Sequence, residues 1–361
     1  MWDLAVREED YDGIGAMLAR YRGPAPLSFR LVPALARADH GAVAALLSEA
    51  QTLESRQLQI AARYAASYLE DLPLADSLAR LDLAWRERPA NRAAAQVLLA
   101  GLAAAGGRWT AAREAFQVAE SMEGAGMVGI YRALTATLPM LPVPEADLRA
   151  IQDDVARWGQ TARIEGGGLA AALQPHLRLY LHGLLSSRLG DVAAAERSAS
   201  ELERLESPPG AQGTVLSLAS TLRADVAWTR RRPQDVLAAL GSVGQPVPLE
   251  LIALPRPAHF RIYGQEHARL LRALALAEIG RNVDALAWLR YGFRGSPQEF
   301  LYLGPVHRHM GEVFERSGQP DSAIAHYEQF SRLWARSDSG ARPQLDDVRR
   351  RLARLGTRAH P

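Results

Sequence analysis

The sequence contains no cysteine and no lysine in 361 residues. Without cysteine there are no disulfides, thiolate metal sites or cysteine nucleophiles, and stability needs no oxidising compartment. Without lysine all 42 basic side chains are arginine, which excludes a phosphate-loop lysine, a Schiff-base lysine and the lysine of a kinase site. Aromatic residues are scarce, at 7%, and the 48% apolar share is carried by Ala and Leu rather than by the β-branched and aromatic residues that favour strands. The fold class this predicts is all-α. An excess of one charge is also lacking: 42 basic against 40 acidic residues leave a net +2, so no nucleic-acid partner is implied. Long apolar runs are missing as well. The longest, AAAQVLLAGLAAAGG from Ala93 to Gly107, is about 15 residues, short of the ~20 that span a bilayer. The start, MWDLAVREEDYDG, has neither the basic nor the apolar region of a signal peptide. A soluble, cytoplasmic chain with no membrane partner is expected.

What is present is a recurring pattern. In PVHRHMGEVFERSGQPDSAIAHYEQF a first helix is predicted from about Pro305 to Ser317, with Val306, Met310, Val313 and Phe314 on one face. Gly318 stands where a helix end takes a left-handed residue, and Pro320 and Asp321 suit the first turn of a second helix. That helix turns Ala323, Ile324, Tyr327 and Phe330 inward. The same helix, turn and antiparallel helix recur around Gly280, with Ala285 and Leu289, and around Gly190, with Ala195 and Leu202. More worn copies surround Gly107, with Ala112 and Phe116, and Pro233, with Val236 and Leu240. Others are YAASYLEDLPLADSLARLDLAWRERP and LVPALARADHGAVAALLSEA.

These units resemble the tetratricopeptide repeat, in which small residues sit where two helices cross closely. Gly311 and Ala323 match the small positions of the last unit, and Met310, Phe314 and Tyr327 the large ones. His307 stands where the family prefers Trp, and Phe330 where it prefers Ala. In the Gly190 unit Gly183 and Ala195 match, with Ala199 in place of the usual aromatic. The resemblance covers most of the chain, six to seven units, and implies a right-handed superhelical array, an α-solenoid of antiparallel helix pairs. The last unit, the proline-rich connectors and the Arg-rich closing helix are together similar to the C-terminal repeat regions of some bacterial serine/threonine kinases and regulators. That similarity implies a sensor or docking role, and Met1 is expected to truncate a longer architecture.

Three proline-rich stretches, Leu138 to Asp147, Glu206 to Gly213 and Gly241 to Phe260, are expected to interrupt the array. They divide it into an N-terminal helical-repeat segment 1–137, a middle segment 138–240, a connector 241–262 and C-terminal pairs 263–361. The last stretch, ARPQLDDVRRRLARLG, predicts a closing helix with Leu345, Val348, Leu352 and Leu355 inward.

Candidate chemistry is thin. GAGMVG, Gly124 to Gly129, has the letters of a dinucleotide fingerprint but follows a helical pattern where that fingerprint needs a strand, so it reads as a connector between pairs. Gly166 to Gly168 reads as a helix-breaking loop. None of the nine His residues forms the H-E-x-x-H arrangement, and His307 and His309 diverge by about 200° on a helix. No metal and no cofactor are expected. Arg308, Glu312, Glu315 and Arg316 are spaced as helical ion pairs, and the arginines of the closing helix, interrupted by Asp346 and Asp347, read as a solvated cap. The tetratricopeptide resemblance implies a concave groove lined by first helices that receives a peptide or helix. It puts Arg308, Glu312, Glu315 and Arg316 on that groove, with His267, Leu270 and Leu274 in the preceding unit. The expected function is a non-catalytic scaffold for a protein or peptide partner. A regulatory helical-repeat receptor for a small ligand or peptide, closed over by the loop 241–260, is the alternative. An enzyme, built on a pocket between Trp228, Tyr263 and Trp288, is the third reading.

Overall fold

The computed structural model describes residues 10–22, 25–51, 57–123, 125–158, 168–242, 266–291 and 299–356. The described residues are helical, with no strand among them. No helix among them is long and apolar enough to cross a membrane. After α1 (Tyr11–Ala19) the helices come as neighbouring antiparallel pairs. The first four are α2 (Leu27–Ala36) with α3 (His40–Gln51), α4 (Gln57–Tyr68) with α5 (Leu72–Trp85), α6 (Pro89–Ala105) with α7 (Trp109–Glu123), and α8 (Ala125–Ala136) with α9 (Glu145–Arg157). A short α10 (Gly168–Ala172) leads into α11 (Gln174–Arg188) with α12 (Val192–Arg204). Then follow α13 (Gln212–Thr229) with α14 (Pro233–Ala239), α15 (Glu266–Glu278) with α16 (Asn282–Tyr291), and α17 (Leu303–Arg316) with α18 (Pro320–Leu333). A 3-10 turn, Glu299–Tyr302, precedes α17, and α19 (Arg342–Gly356) closes the described chain.

One backbone device recurs in these pairs. Each inner turn holds a residue with positive φ: Ala38 (53°), Glu70 (52°), Gly107 (71°), Met140 (66°), Gly190 (79°), Arg231 (58°), Gly280 (80°) and Gly318 (70°). A left-handed residue lets the chain reverse while the last carbonyls of the first helix still find donors. At Gly318 its own N–H reaches Glu315 O (3.2 Å) and the next N–H, of Gln319, reaches Phe314 O (3.0 Å). The same two bonds, three and five residues back, close the turns at Ala38, Gly107, Gly190, Arg231 and Gly280. At the Met140 turn the work is done from outside: the Arg188 guanidinium of α11 donates to the carbonyls of Ala136 (2.9 Å), Leu138 and Leu141 (2.8 Å). Burial lowers that guanidinium to about 10, with the Asp225 charge opposing the shift.

The stretch Leu138 to Asp147 runs from the turn of the α8/α9 pair, where Met140 takes the left-handed conformation that glycine takes elsewhere, into the first turn of α9. The GAGMVG stretch, expected to be a connector, is helical from Ala125 onward as part of α8, and Gly124 lies outside the described residues. Gly166 and Gly167 lie outside the described residues, Gly168 opens α10, and most of the connector 241–262 is outside them too.

Small residues stand at the helix crossings. A Cβ on Gly311 would lie 2.5 Å from the Tyr327 ring, and one on Gly183 would run into Leu222. The first helices are buried widely: in α6 every residue from Leu98 to Ala105 is buried, so neighbours surround it. The second helices bury a single stripe, such as Leu148, Ile151 and Val155 in α9. Ala323, Tyr327 and Phe330 of α18 are fully buried, with Ile324 partly so. In α19 Leu345, Val348 and Leu355 are buried, with Leu352 half-covered.

The C-terminal segment does not continue away from the earlier pairs; it crosses their turns. Glu70 accepts from His307 (3.0 Å) and from the Gln329 amide (2.6 Å). Gly107 O accepts from Asp338 N–H (3.1 Å), and Trp334 donates its indole N–H to Ala105 O (3.0 Å). Thr110 N–H donates to the Asp338 carboxylate (2.8 Å), and Gln344 donates to Met140 O (3.2 Å). The inner turns of three successive pairs, at residues 70, 107 and 140, are therefore each bonded to the segment 307–344. The largest apolar cluster among the described residues runs from Leu27 to Leu355.

A pair of substitutions separates the two roles of glycine. A Cβ at Gly318 meets nothing within 4 Å, so Gly318→Ala is expected to cost about 1 kcal/mol through its backbone conformation alone. Gly311→Ala is expected to cost about 1–3 kcal/mol by overpacking against the buried Tyr327 ring. Urea unfolding followed by circular dichroism measures both.

Candidate functional site

Of the side chains expected on a binding face, Arg308, Glu312 and Glu315 are brought together on α17. Their partners come from α17 itself, α18 and α19. Arg308 lies 3.2 Å from Glu312 and 3.5 Å from Asp347. Glu312 accepts from His309 Nδ1 at 2.8 Å. Glu315 accepts from the Tyr327 hydroxyl (2.8 Å) and pairs with Arg351 (2.8 Å) and, at 3.6 Å, with Arg354. Arg351 also reaches Asp347 at 3.0 Å. The helical spacing that suggested local ion pairs is thus half of the arrangement; the other half arrives from the closing helix. Arg316, on the same helix, is exposed.

The electrostatics follow from this packing. Burial by itself would push the Glu312 carboxyl up, but the His309 hydrogen bond and the charges of His309, Arg308 and Arg351 outweigh it and hold the group at about 2. Burial would raise Glu315 as well, and the hydrogen bonds from Arg351 and Tyr327, with the charges of Arg351 and Arg354, overcome it and lower the group. The Tyr327 hydroxyl is driven up by burial and by its bond to Glu315. Glu312, Glu315 and Tyr327 thus each keep one charge state near neutrality, as members of a structural network do.

The two candidates on α15 separate. Leu270 is 1% exposed and belongs to the core. His267 places Nε2 2.7 Å from Asp225 of α13, and Leu274 is half-buried. Nearby, Glu299 of the 3-10 turn is 2% exposed and pairs with Arg269 at 2.7 Å. Tyr180 of α11 is buried beside Tyr302, Asp225 and Glu266, and burial first, then those neighbours, drive its phenol up. The first helices α11, α13 and α15 so enclose a polar patch within an otherwise apolar interior. Of the pocket expected between Trp228, Tyr263 and Trp288, Tyr263 lies outside the described residues, and Trp288 is exposed, with the Arg272 guanidinium 4.9 Å from its ring centre.

His307 and His309 diverge as their spacing demands. His309 joins Glu312, whereas His307 faces Glu70 through Nε2 and His326 of α18 through Nδ1, with an Nδ1 to Nδ1 distance of 2.8 Å. The Phe314 ring stacks on His326 at 5.4 Å and 4°. Among the described residues no three His, Asp or Glu side chains are placed to hold a metal ion. Glu70, His326, Gln329, Asp225 and Arg188 were not singled out from the sequence. Each acts across a sequence separation of 19 residues or more, beyond any local pattern. The one usable signal was His307, a polar residue at a large apolar position of its repeat.

Compared with protein-family models, curated proteins and solved structures, the chain matches none.

The depressed Glu312 carboxyl generates an acid-stability prediction. A group lowered on folding contributes stability that is present above its unfolded value and lost as pH falls towards its folded one. For Glu312 that window runs from roughly 4.3 down to about 2. Glu312→Gln is expected to flatten the loss of unfolding free energy across the window by on the order of 2 kcal/mol. Urea titrations at closely spaced acid pH values read the slope directly.

Proposed function

We propose that the chain is a non-catalytic protein-interaction scaffold built as a tetratricopeptide-type, right-handed superhelical array, a docking or sensor module in bacterial signalling that works in the cytoplasm. The observation supporting this reading is the recurrence of one turn: a left-handed residue followed by the same pair of backbone bonds at Ala38, Gly107, Gly190, Arg231, Gly280 and Gly318. A chain made of one supersecondary unit presents an extended surface, and extended surfaces recognise chains. Arg308 and Glu315 are engaged with α19 and Glu312 with Arg308 and His309 of its own helix, so they shape the face. Arg316, exposed beside them, is the group that grips a partner carboxylate.

Peptide display on the purified chain tests this. Acidic helical or extended peptides are expected to be enriched and to lose about tenfold in affinity, some 1.4 kcal/mol, against Arg316→Glu. Failure to enrich any peptide, or equal affinity for both proteins, contradicts the reading.

The buried patch around Tyr180, Asp225 and His267 favours a second reading, a receptor for a small polar ligand held between α11, α13 and α15. A small molecule that raises the melting temperature through this patch supports it, because a ligand stabilises the state it binds.

A further inference from the structure

The helix α16 turns an apolar face to solvent where α12 and α18 turn charge. Its inward residues are Ala285 and Leu289, four apart and buried. Val283 and Ala287 lie on the opposite side, with Arg290 at the next turn of the same face, and all three are exposed. By contrast α12 exposes Arg197, Glu201 and Glu203, and α18 exposes Asp321, Glu328 and Arg332. Val283 is 83% exposed and Trp288, on the flank of the same helix, 37%. The other large apolar side chains exposed among the described residues, Tyr21, Val118 and Leu216, stand singly in separate parts of the chain, as surface apolar residues commonly do.

Beside Trp288 stands a cation without an anion. Leu271 of α15 packs into a small apolar cluster with Val236, Leu240 and Ala268, and the next residue, Arg272, is half-buried at its edge. The Arg272 guanidinium donates to Leu240 O and lies over the Trp288 ring, 4.9 Å from the centre. No carboxylate among the described residues pairs with it, and burial, opposed by no anion, lowers it. A guanidinium has five N–H donors, so donors remain for a carboxylate. The surrounding charges limit what can bind. From Arg272 to Arg290 the arginines 272, 281 and 290 stand against Glu278 and Asp284, and Arg281 pairs with Asp284 at 2.7 Å. An excess of one positive charge matches one carboxylate, whereas a nucleic acid strand brings a charge with every phosphate.

We infer that the α15/α16 corner is a docking site for a peptide segment that sets one Asp or Glu carboxylate on Arg272 and lays apolar side chains across Trp288, Ala287 and Val283. The carboxylate supplies the anion that Arg272 lacks, in a charge-assisted hydrogen bond. The apolar side chains cover the face that α16 leaves open, around a Trp and an Arg of the kind that anchor interfaces. The corner extends the scaffold reading to a second surface and uses none of the α17 residues.

A displayed peptide library selected on the full chain, with the enriched peptides titrated by fluorescence anisotropy, tests the site. Peptides carrying Asp or Glu beside Leu, Phe or Trp are expected to be enriched, and to bind about tenfold more weakly to Arg272→Gln, the worth of one hydrogen bond to a charged group. Val283→Glu is expected to weaken them as well, and because it alters an exposed side chain it reads the face even if Arg272→Gln does not fold. Arg349→Gln, an exposed arginine of α19, is expected to leave them unchanged, which sets a local contact apart from general charge attraction. Peptides that Arg272→Gln and Val283→Glu weaken support the docking site whatever Arg316→Glu does to them. Peptides weakened by Arg316→Glu alone overturn it and leave the α17 face standing, and failure to enrich any peptide overturns both. Oligothymidylate that displaces the peptides overturns it in favour of a nucleic acid strand. A dimer in sedimentation that Val283→Glu dissociates overturns it in favour of a second copy of the chain.

Discussion

The open end of a helix pair is its turn, and in this chain three successive turns are covered by one C-terminal segment. Glu70, Gly107 and Met140 each exchange a hydrogen bond with residues between His307 and Gln344. The device that makes this possible is the left-handed residue. It satisfies the carbonyls of the first helix within the turn, which leaves Gly107 O and Met140 O pointing outward as acceptors. Where the turn needs more support, Arg188 supplies it from the next pair. Long-range order in this fold is thus made from backbone groups that short-range order left available.

The same crossing explains the state of the candidate residues. A C-terminal helix that must lie against α17 and α18 has to meet their charges, and α19 meets them with Arg351, Arg354 and Asp347. Glu315 keeps its charge because Arg351, Arg354 and Tyr327 outweigh burial, and Glu312 chiefly because His309 and Arg308 of its own helix do, with Arg351 adding to them. Arg316 lies on the same helix and is exposed.

How much of this was legible depends on which residue fills each turn. Gly107, Gly190, Gly280 and Gly318 announce their turns, since glycine adopts positive φ without strain. Ala38, Glu70, Met140 and Arg231 adopt the same conformation silently, and so the units they mark looked worn or were read as connectors. The helix faces of the last pair were readable from spacing because Val306, Met310, Tyr327 and Phe330 recur at helical intervals. The ion pairs between Arg308 and Glu312 were readable for the same reason. Arg351 against Glu315, 36 residues away, and Glu70 against His307, 237 residues away, were not, because no periodicity connects positions that only the tertiary fold brings together. His307 was a hint: a histidine in place of a large apolar residue implies a polar partner within the core.

The central claim is that the segment 307–344 crosses the turns of the second, third and fourth pairs. The absence of native cysteine allows a clean test with a single introduced pair, Thr110→Cys and Asp338→Cys, at positions whose side chains approach to 3.0 Å. A short bis-maleimide is expected to join the two within one chain, rapidly and in native buffer only, giving a faster-migrating monomer. Cross-linking that is absent, or that proceeds only between chains, contradicts the account.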